Sequence, residues 1–545
     1  MAGSSGEPNT TVSSTSYAHR GAFRVGIAAV TAGVALHLPM YLGAREMGYR
    51  LEGMAVDAPM TVGMVLILIG LAATARGLFP RTAGPTGPPG TIRVRALDDT
   101  RVRPAHVGLL LVMAAAVTID VMKPTTLAFV VPGMTKEYGL KSALNPGGDV
   151  PAALLPLAGI VGTVIGSFVW GWLGDRIGRR ASILLAGVLF IATAVCGSMP
   201  SYALNLVMCL VMGLGVGGML PITFALMSET IPARHRGWVM VLVGGDVAGA
   251  YVLTSWLSEM LVPDYGWRIL WLLGLPTGLA LIALNRWIPE SPRFLLAQGR
   301  EAEAQAVMER YGAVVERGAS SELAADADVA GRFGQLLRPP LIGLTAVVVL
   351  FGLGVGLVTF GFQLWIPSNL QAIGYTEASA SRLLRDSALL GFPLNFVVAW
   401  MYGVWSSKKT IAALGALTAA ALAGFAVLGE SVAENPSVLQ ALLVVPIWGI
   451  SSIVAVLFAY SAEVFPTKVR SRGTGLAAAA SKAGGVVVIA LVAAAVATPS
   501  IAATALIGAV PMAAAALAVA VFGVETKRRR LEEITAEEFG VVAQG

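Results

Sequence analysis

The stretch ETIPARHRG, Glu229 to Gly237, returns in altered form as EVFPTKVRSRG, Glu463 to Gly473. In each copy an acid is followed by a proline (Pro232, Pro466) and two basic residues (Arg234 and Arg236; Lys468 and Arg470), at an offset of 234 residues. A long-period internal repeat divides a chain into units, so it is settled before local structure. Two more landmarks recur at nearly the same offset. Pro132 has a counterpart in Pro367, and Gly171 in Gly403; each of these glycines heads a loop with a basic pair, Arg179 and Arg180 or Lys408 and Lys409. The chain reads as two related halves.

Composition sets the medium. Apolar residues make up 56% of the 545 and charged residues 13%, with a mean hydropathy of +0.74. Soluble domains carry about 25% charged residues. A spanning helix needs roughly 20 mostly apolar residues. About fourteen such runs occur, near 22–43, 58–79, 105–132, 151–174, 181–199, 202–228, 238–261, 268–288, 340–368, 378–403, 410–429, 436–461, 475–496 and 500–523. None alternates as the strands of a membrane barrel do, which leaves a helical bundle. The expected fold is an all-α integral membrane protein.

The net charge of +6 reports topology and not a nucleic-acid partner. Arg and Lys gather in alternate loops, at 93–103, 176–180, 234–236, 293–338, 408–409, 468–472 and 527–530. That positive-inside pattern places both termini in the cytoplasm of a multi-pass cell-membrane protein. Cys196 and Cys209 lie in apolar runs and read as small buried thiols. No metal-ligand spacing, catalytic motif or cofactor fingerprint is present. GLGVGG, Gly213 to Gly218, sits inside an apolar run with no preceding strand, so it reads as close helix packing and not as a dinucleotide loop. The PRTAGPTGPPGTI stretch at 80–92 is too short for collagen and reads as a linker.

The expected organisation follows. Residues 1–21 form a disordered cytoplasmic start, 22–79 an extra transmembrane hairpin and 80–104 a cytoplasmic linker. Residues 105–288 form the first six-helix bundle, 289–339 a cytoplasmic connection, 340–523 the second bundle and 524–545 a tail. Duplicated halves of this kind place a solute site between them near the midplane.

At these residues the chain resembles the major facilitator superfamily. The motifs are GWLGDRIGRR (Gly171 to Arg180), PESPRFLLAQGREAEA (Pro289 to Ala304), YSAEVFPTKVRSRGTG (Tyr460 to Gly475) and ETKRRRLEEI (Glu525 to Ile534), in order from about 105 to 535. The segment around Tyr460 to Gly485 looks most like metabolite/proton and aromatic-acid symporters and their organic-ion and synaptic-vesicle relatives. The sugar-porter Gln-Gln pattern is missing from FGFQLWIPSNL, and the drug-antiporter Gly-Pro motif is missing from the run at 238–261. Those relatives often carry Arg before a Gly pair in the eleventh core helix, where Lys482 precedes Gly484 and Gly485. Cys209 stands where the family often has Arg, and GVWSSKK lacks the acid of the first loop copy. Relatives also show an acidic pair in the first core helix; here Asp120 keeps the first position and Lys123 takes the second.

These charges are the candidate site. Asp120 and Lys123 lie in TIDVMKP within an apolar run. One such charge costs about 2.5–3.5 kcal/mol at a helix centre. The two either pair with each other across one helix turn or line a central cavity. In the second reading Asp120 carries a coupling proton, or Lys123 and Lys482 together hold a substrate anion; Lys482 otherwise snorkels to the cytoplasmic surface. Asp246 is a further proton or substrate candidate, against a hydrogen-bonded structural acid. Gln363, Trp365 and Asn395 are cavity candidates, and Arg382, Arg385 and Asp386 cap the outer end of the run at 378–403. By resemblance, Gly171, Asp175, Arg179, Arg180, Glu229, Arg236, Glu290, Arg293, Glu463 and Arg470 form a cytoplasmic gate that ties the halves together.

The expectation is a monomeric transporter, not an enzyme, without cofactor. It moves a small polar metabolite, an organic ion, by alternating access with proton symport. Facilitated uniport and drug or metabolite export are the alternatives. A non-transporting sensor or scaffold of the same fold is the rival of another class.

Overall fold

The computed structural model describes residues 19–79, 100–313, 333–465, 469–494 and 500–526. Most of the expected disordered start, of the linker and of the tail, and part of the 289–339 connection, lie outside those residues; Arg20 and Gly21, at the end of that start, already belong to the first helix. So do the side chains of Gly171, Asp175, Arg236 and Arg470.

Among the described residues there is no β-strand, only isolated bridges between Lys141 and Pro151 and between Ser142 and Asn145. Thirteen helices are long and apolar enough to cross a membrane. The protein is an all-helical membrane bundle. The hairpin helices are α1 (Arg20–Ala35) and α2 (Ala58–Leu78). The first half holds α3 (Pro104–Tyr138), α4 (Leu154–Ile177), α5 (Arg179–Ala192), α6 (Tyr202–Val216), α7 (Met219–Thr230), α8 (Ala233–Gly245), α9 (Val247–Tyr265) and α10 (Gly274–Leu284). Between the halves lie the short α11 (Pro292–Ala297) and α12 (Glu301–Arg310). The second half holds α13 (Ile342–Val358), α14 (Ile366–Ala372), α15 (Glu377–Gly391), α16 (Leu394–Trp400), α17 (Ser407–Leu428), α18 (Pro436–Val464), α19 (Arg470–Ala494) and α20 (Ile501–Phe522).

Helix starts follow local chemistry. The side chains of Asp57, Ser201, Ser291, Thr376, Ser406, Asn435 and Ser500 each accept a backbone N–H from the first turn that follows. Such a cap is worth about 1 kcal/mol. Several apolar runs contain breaks that the hydropathy pattern hides. The run at 202–228 is two helices, parted at Gly217 and Gly218. The run at 238–261 breaks at Asp246. The run at 340–368 passes through a π-turn over Thr359–Gln363, a widened turn often found at functional sites.

GLGVGG forms a packing seam. A Cβ at Gly213 or Gly217 would overlap the carbonyl oxygens of Gly159 and Thr163, so α6 rests on the α4 backbone. Only glycine permits that approach.

The hairpin packs on itself and on one side of the first half. Val30, Val34, Met60 and Ile67 share a buried cluster with Val188, Ile191 and Val195 of the α5 region. The halves meet through α9 with α15, α8 with α18, α4 with α19, and α3 with α14. One end of the bundle carries the Arg-rich loops around Arg179 and Arg293. The other, the hairpin-loop end, carries the turns near 44–57, 139–153 and 262–268.

Candidate functional site

Asp120 lies mid-way along α3, at 1% exposure. Pro124 has no N–H, so the helix bond it would donate to the Asp120 carbonyl is absent. The Asp120–Lys123 bridge, one of the two readings, is not formed. Lys123 Nζ instead donates to the Phe190 carbonyl at 3.4 Å and stands 5.8 Å from the centre of the Phe190 ring. It also abuts Gly274. Residues three apart differ by about 60° in direction around a helix. Because α3 has the second half on one flank and α5 and α10 on another, that difference sends the two side chains into different surroundings. Lys123 is therefore packed inside the first half and does not pair with Lys482 across the interface.

Lys482 does cross. Its ammonium donates to Ser167 Oγ of α4 and, at 3.4 Å, to the Gly217 carbonyl. Ser167 also donates to Gly217 O at 2.7 Å. The lysine thus sits on the α4–α6 seam and does not snorkel to the Arg-rich end. It is also the charge that acts on Asp120, whose Oδ1 is buried without a hydrogen-bond partner. An acid of the first half with an unpartnered oxygen and a base of the second half that reaches into the first thus lie near each other without a direct ion pair.

Asp246 sits at the break between α8 and α9 and accepts a short hydrogen bond from Thr118 of α3. Gly249 leaves room for its carboxylate beside Phe392 of the second half. Next to it, Asn395 donates to the Gly245 carbonyl at 3.2 Å and accepts from Ser452 at 2.6 Å. Asn395 thus spans three helices from both halves. Gln363 closes the π-turn. Trp365 Nε1 is buried with no hydrogen-bond partner, as is the hydroxyl of Tyr251, a residue the sequence reading passed over. The Tyr251 ring lies 5.6 Å from that of Phe129.

Of the expected gate residues, Glu229, Glu290 and Glu463 have described contacts. Glu290 accepts the backbone N–H groups of Arg179 (2.7 Å), Arg180 (3.2 Å) and Ser291 (3.0 Å). It caps the N-terminus of α5, where donors and dipole favour an anion. Gly178 makes this possible: its φ is +97°, and a Cβ there would strike the carboxylate. Burial pushes the Glu290 carboxyl above its ordinary range, against the pull of those N–H groups. Glu229 accepts from Ser291 and lies 3.9 Å from Arg179. Glu463 accepts from Tyr402 and Thr526, at 2.6 and 2.7 Å. Arg293 is exposed. Each of these described contacts stays within one half or its flanking segment, so none is the expected tie between halves.

Among the described residues, ion pairs that cross between the halves lie at the hairpin-loop end. Arg382 and Arg385 do more than cap α15: both bind Glu259 of α9, Arg382 at 2.7 Å. Lys136 donates to Gln371 at 3.1 Å and pairs with Glu377 at 4.0 Å. Ser258 and Ser381 hydrogen-bond at 3.1 Å behind them. The sequence offered a hint, since Glu259 and Arg382 stand near the ends of apolar runs, but nothing in it pairs residues so far apart.

Known proteins can now be compared with this geometry. A model of the "Sugar (and other) transporter" family matches residues 128–537, and one of the "MFS/sugar transport protein" family matches residues 11–235. The chain is a major facilitator superfamily transporter. It is not an enzyme. The transporter is 26% identical to the niacin transporter NiaP of Acinetobacter baylyi over 72% of this chain and 88% of the relative. It is 32% identical to the inner membrane metabolite transport protein YgcS of Escherichia coli, over 62% and 74%. A gallate transporter of Pseudomonas putida is 26% identical, over 70% and 84%. Its fold is that of the proton:xylose symporter XylE, with a TM-score of 0.60 at 18% identity over 79% of this chain and 99% of that one. These relatives make it a transporter of small organic metabolites.

Proposed function

We propose that the transporter carries a small organic acid, with an aromatic or heteroaromatic ring, in symport with a proton. The supporting observation is that Asp120 of the first half is buried with an oxygen that has no hydrogen-bond partner, while Lys482 of the second half reaches across to Ser167 of the first. A desolvated acid and base can exchange one proton for one anion. With Asp120 protonated, Lys482 needs another anion, and a solute carboxylate supplies it. Release of the proton restores the acid as the partner of the lysine and expels the solute. Tyr251 and Trp365 offer buried donors and ring faces for the rest of the solute. Niacin, gallate and 4-hydroxybenzoate, named for its relatives, are acids of this kind or their close kin. The Arg-rich end faces the cytoplasm, as loop charge requires, and one chain is the working unit.

The test is solute uptake into liposomes holding a pH dye, with nicotinate, gallate, 4-hydroxybenzoate, xylose and an organic cation offered in turn. One acid should enter with lumenal acidification. Asp120→Asn should abolish the acidification and keep solute exchange, while Lys482→Gln should abolish both. Uptake of an acid with no pH change in the wild type makes the protein a uniporter. Uptake of xylose or the cation alone overturns the assignment of Lys482 to a solute carboxylate.

A further inference from the structure

The extra hairpin is tied to the first half by more than apolar packing. Its turn carries Tyr49 at φ +60°, a left-handed conformation that a bulky residue holds only under external constraint. The constraint is visible. The Tyr49 ring stacks 4.9 Å from that of Tyr41 and lies 6.0 Å from that of Tyr265. Tyr41 donates to the Tyr265 carbonyl at 2.6 Å.

Two residues further on, the turn supplies part of a buried charge site. Glu137 Oε1 accepts the backbone N–H groups of Leu51 (2.8 Å) and Glu52 (3.1 Å). The same oxygen binds Arg268 at 2.6 Å, and Oε2 accepts from Trp267 at 2.8 Å. Arg268 is fully buried, donates to Met199 O at 2.8 Å and lies over the Trp267 ring. Glu137 ends α3, and Arg268 follows the end of α9. This site therefore fixes the tip of α3 against the tip of α9.

Those two tips bear the cross-half ion pairs. Lys136, adjacent to Glu137, engages Glu377 and Gln371; Glu259, near the end of α9, engages Arg382 and Arg385. We propose that the hairpin turn is a strut for this latch: by completing the surroundings of Glu137 it holds α3 and α9 together, so that Lys136 and Glu259 grip the second half as one unit. Glu137 and Arg268 are positioning residues that act through Lys136 and Glu259. With the strut loosened, the two grips release separately, and the hairpin-loop end opens more often.

The test uses the full chain with a cysteine at Ser258→Cys, which is closed off behind the latch, and a membrane-impermeant maleimide. The native Cys196 and Cys209 are buried and give the low background. Glu259→Gln, Glu137→Gln and the hairpin variant Tyr49→Ala should each raise the labelling rate at least about five-fold. A second reporter, Ser182→Cys, buried in α5 away from the latch, should stay unlabelled in all three. Lys136→Gln, whose side chain is half exposed, tests the latch without disturbing the buried site and should also raise labelling. Faster labelling in Glu259→Gln but not in Tyr49→Ala would make the hairpin a passive attachment. No change in Glu259→Gln or Lys136→Gln would remove the latch itself. Labelling of both reporters would mean general loosening and would overturn the proposal.

Discussion

The two ends of the bundle use charge differently. At the Arg-rich end, Glu229, Glu290 and Glu463 are taken up by helix starts, hydroxyls and an arginine of their own half. At the hairpin-loop end, Glu259 and Lys136 reach into the other half. The first end is built to keep each half rigid. The second is built to hold the halves together. Two bundles that rock about a central site need both devices, and among the described contacts each end shows one of them.

The largest effect should come from the buried charge site. Arg268→Ala removes the cation paired with Glu137 inside the protein, a change worth about 3–5 kcal/mol. The full-length variant should show the deepest fall in melting temperature of any substitution named here. A fall no larger than that of Lys136→Gln would mean the pair is not load-sharing with the fold. Next is the seam between α4 and α6. Gly213→Ala places a methyl on the Gly159 carbonyl and should cost about 1–3 kcal/mol as overpacking. An unchanged melting temperature would show that the two helices can part freely.

Smaller is the contribution of Glu290. Its carboxyl is raised above the ordinary value of 4.5 by burial. For an acid shifted this way, the stabilisation is full below the unfolded value and is lost as pH rises through the folded one. Melting temperature should therefore decline as pH rises upward from about 4.5, and Glu290→Gln should flatten that slope; an identical slope in both proteins would refute it. Least of all is Lys136→Gln, an exposed pair worth about 0–1 kcal/mol. Its melting temperature should match the wild type even as its cross-half grip is lost.

Much of this was legible in the sequence. Hydropathy marked the apolar runs, and the repeated motif marked the halves. GLGVGG was readable as packing because it lay inside an apolar run. Side-chain direction was not readable. Asp120 and Lys123 share a helix turn, and which neighbour each meets depends on helices more than 60 residues away. Glu137 and Arg268 were passed over because each lies near the edge of an apolar run, where a charge looks like a loop residue. Only the fold reveals that the edge is buried under the hairpin turn. Nor could the sequence show that Glu290 would accept the backbone N–H groups at the start of α5, far away in the chain.

The glycine contacts between α4 and α6 carry a mechanical meaning. Where two backbones touch, no side chain lies between them to bend, so the pair behaves as one stiff plate. Lys482 is anchored to that plate, at Ser167 and the Gly217 carbonyl. In the proposed mechanism, a tug on the lysine by an arriving anion is then not absorbed by local rearrangement. It is delivered to a lever that runs the depth of the membrane, and a displacement at the midplane becomes a tilt at both ends.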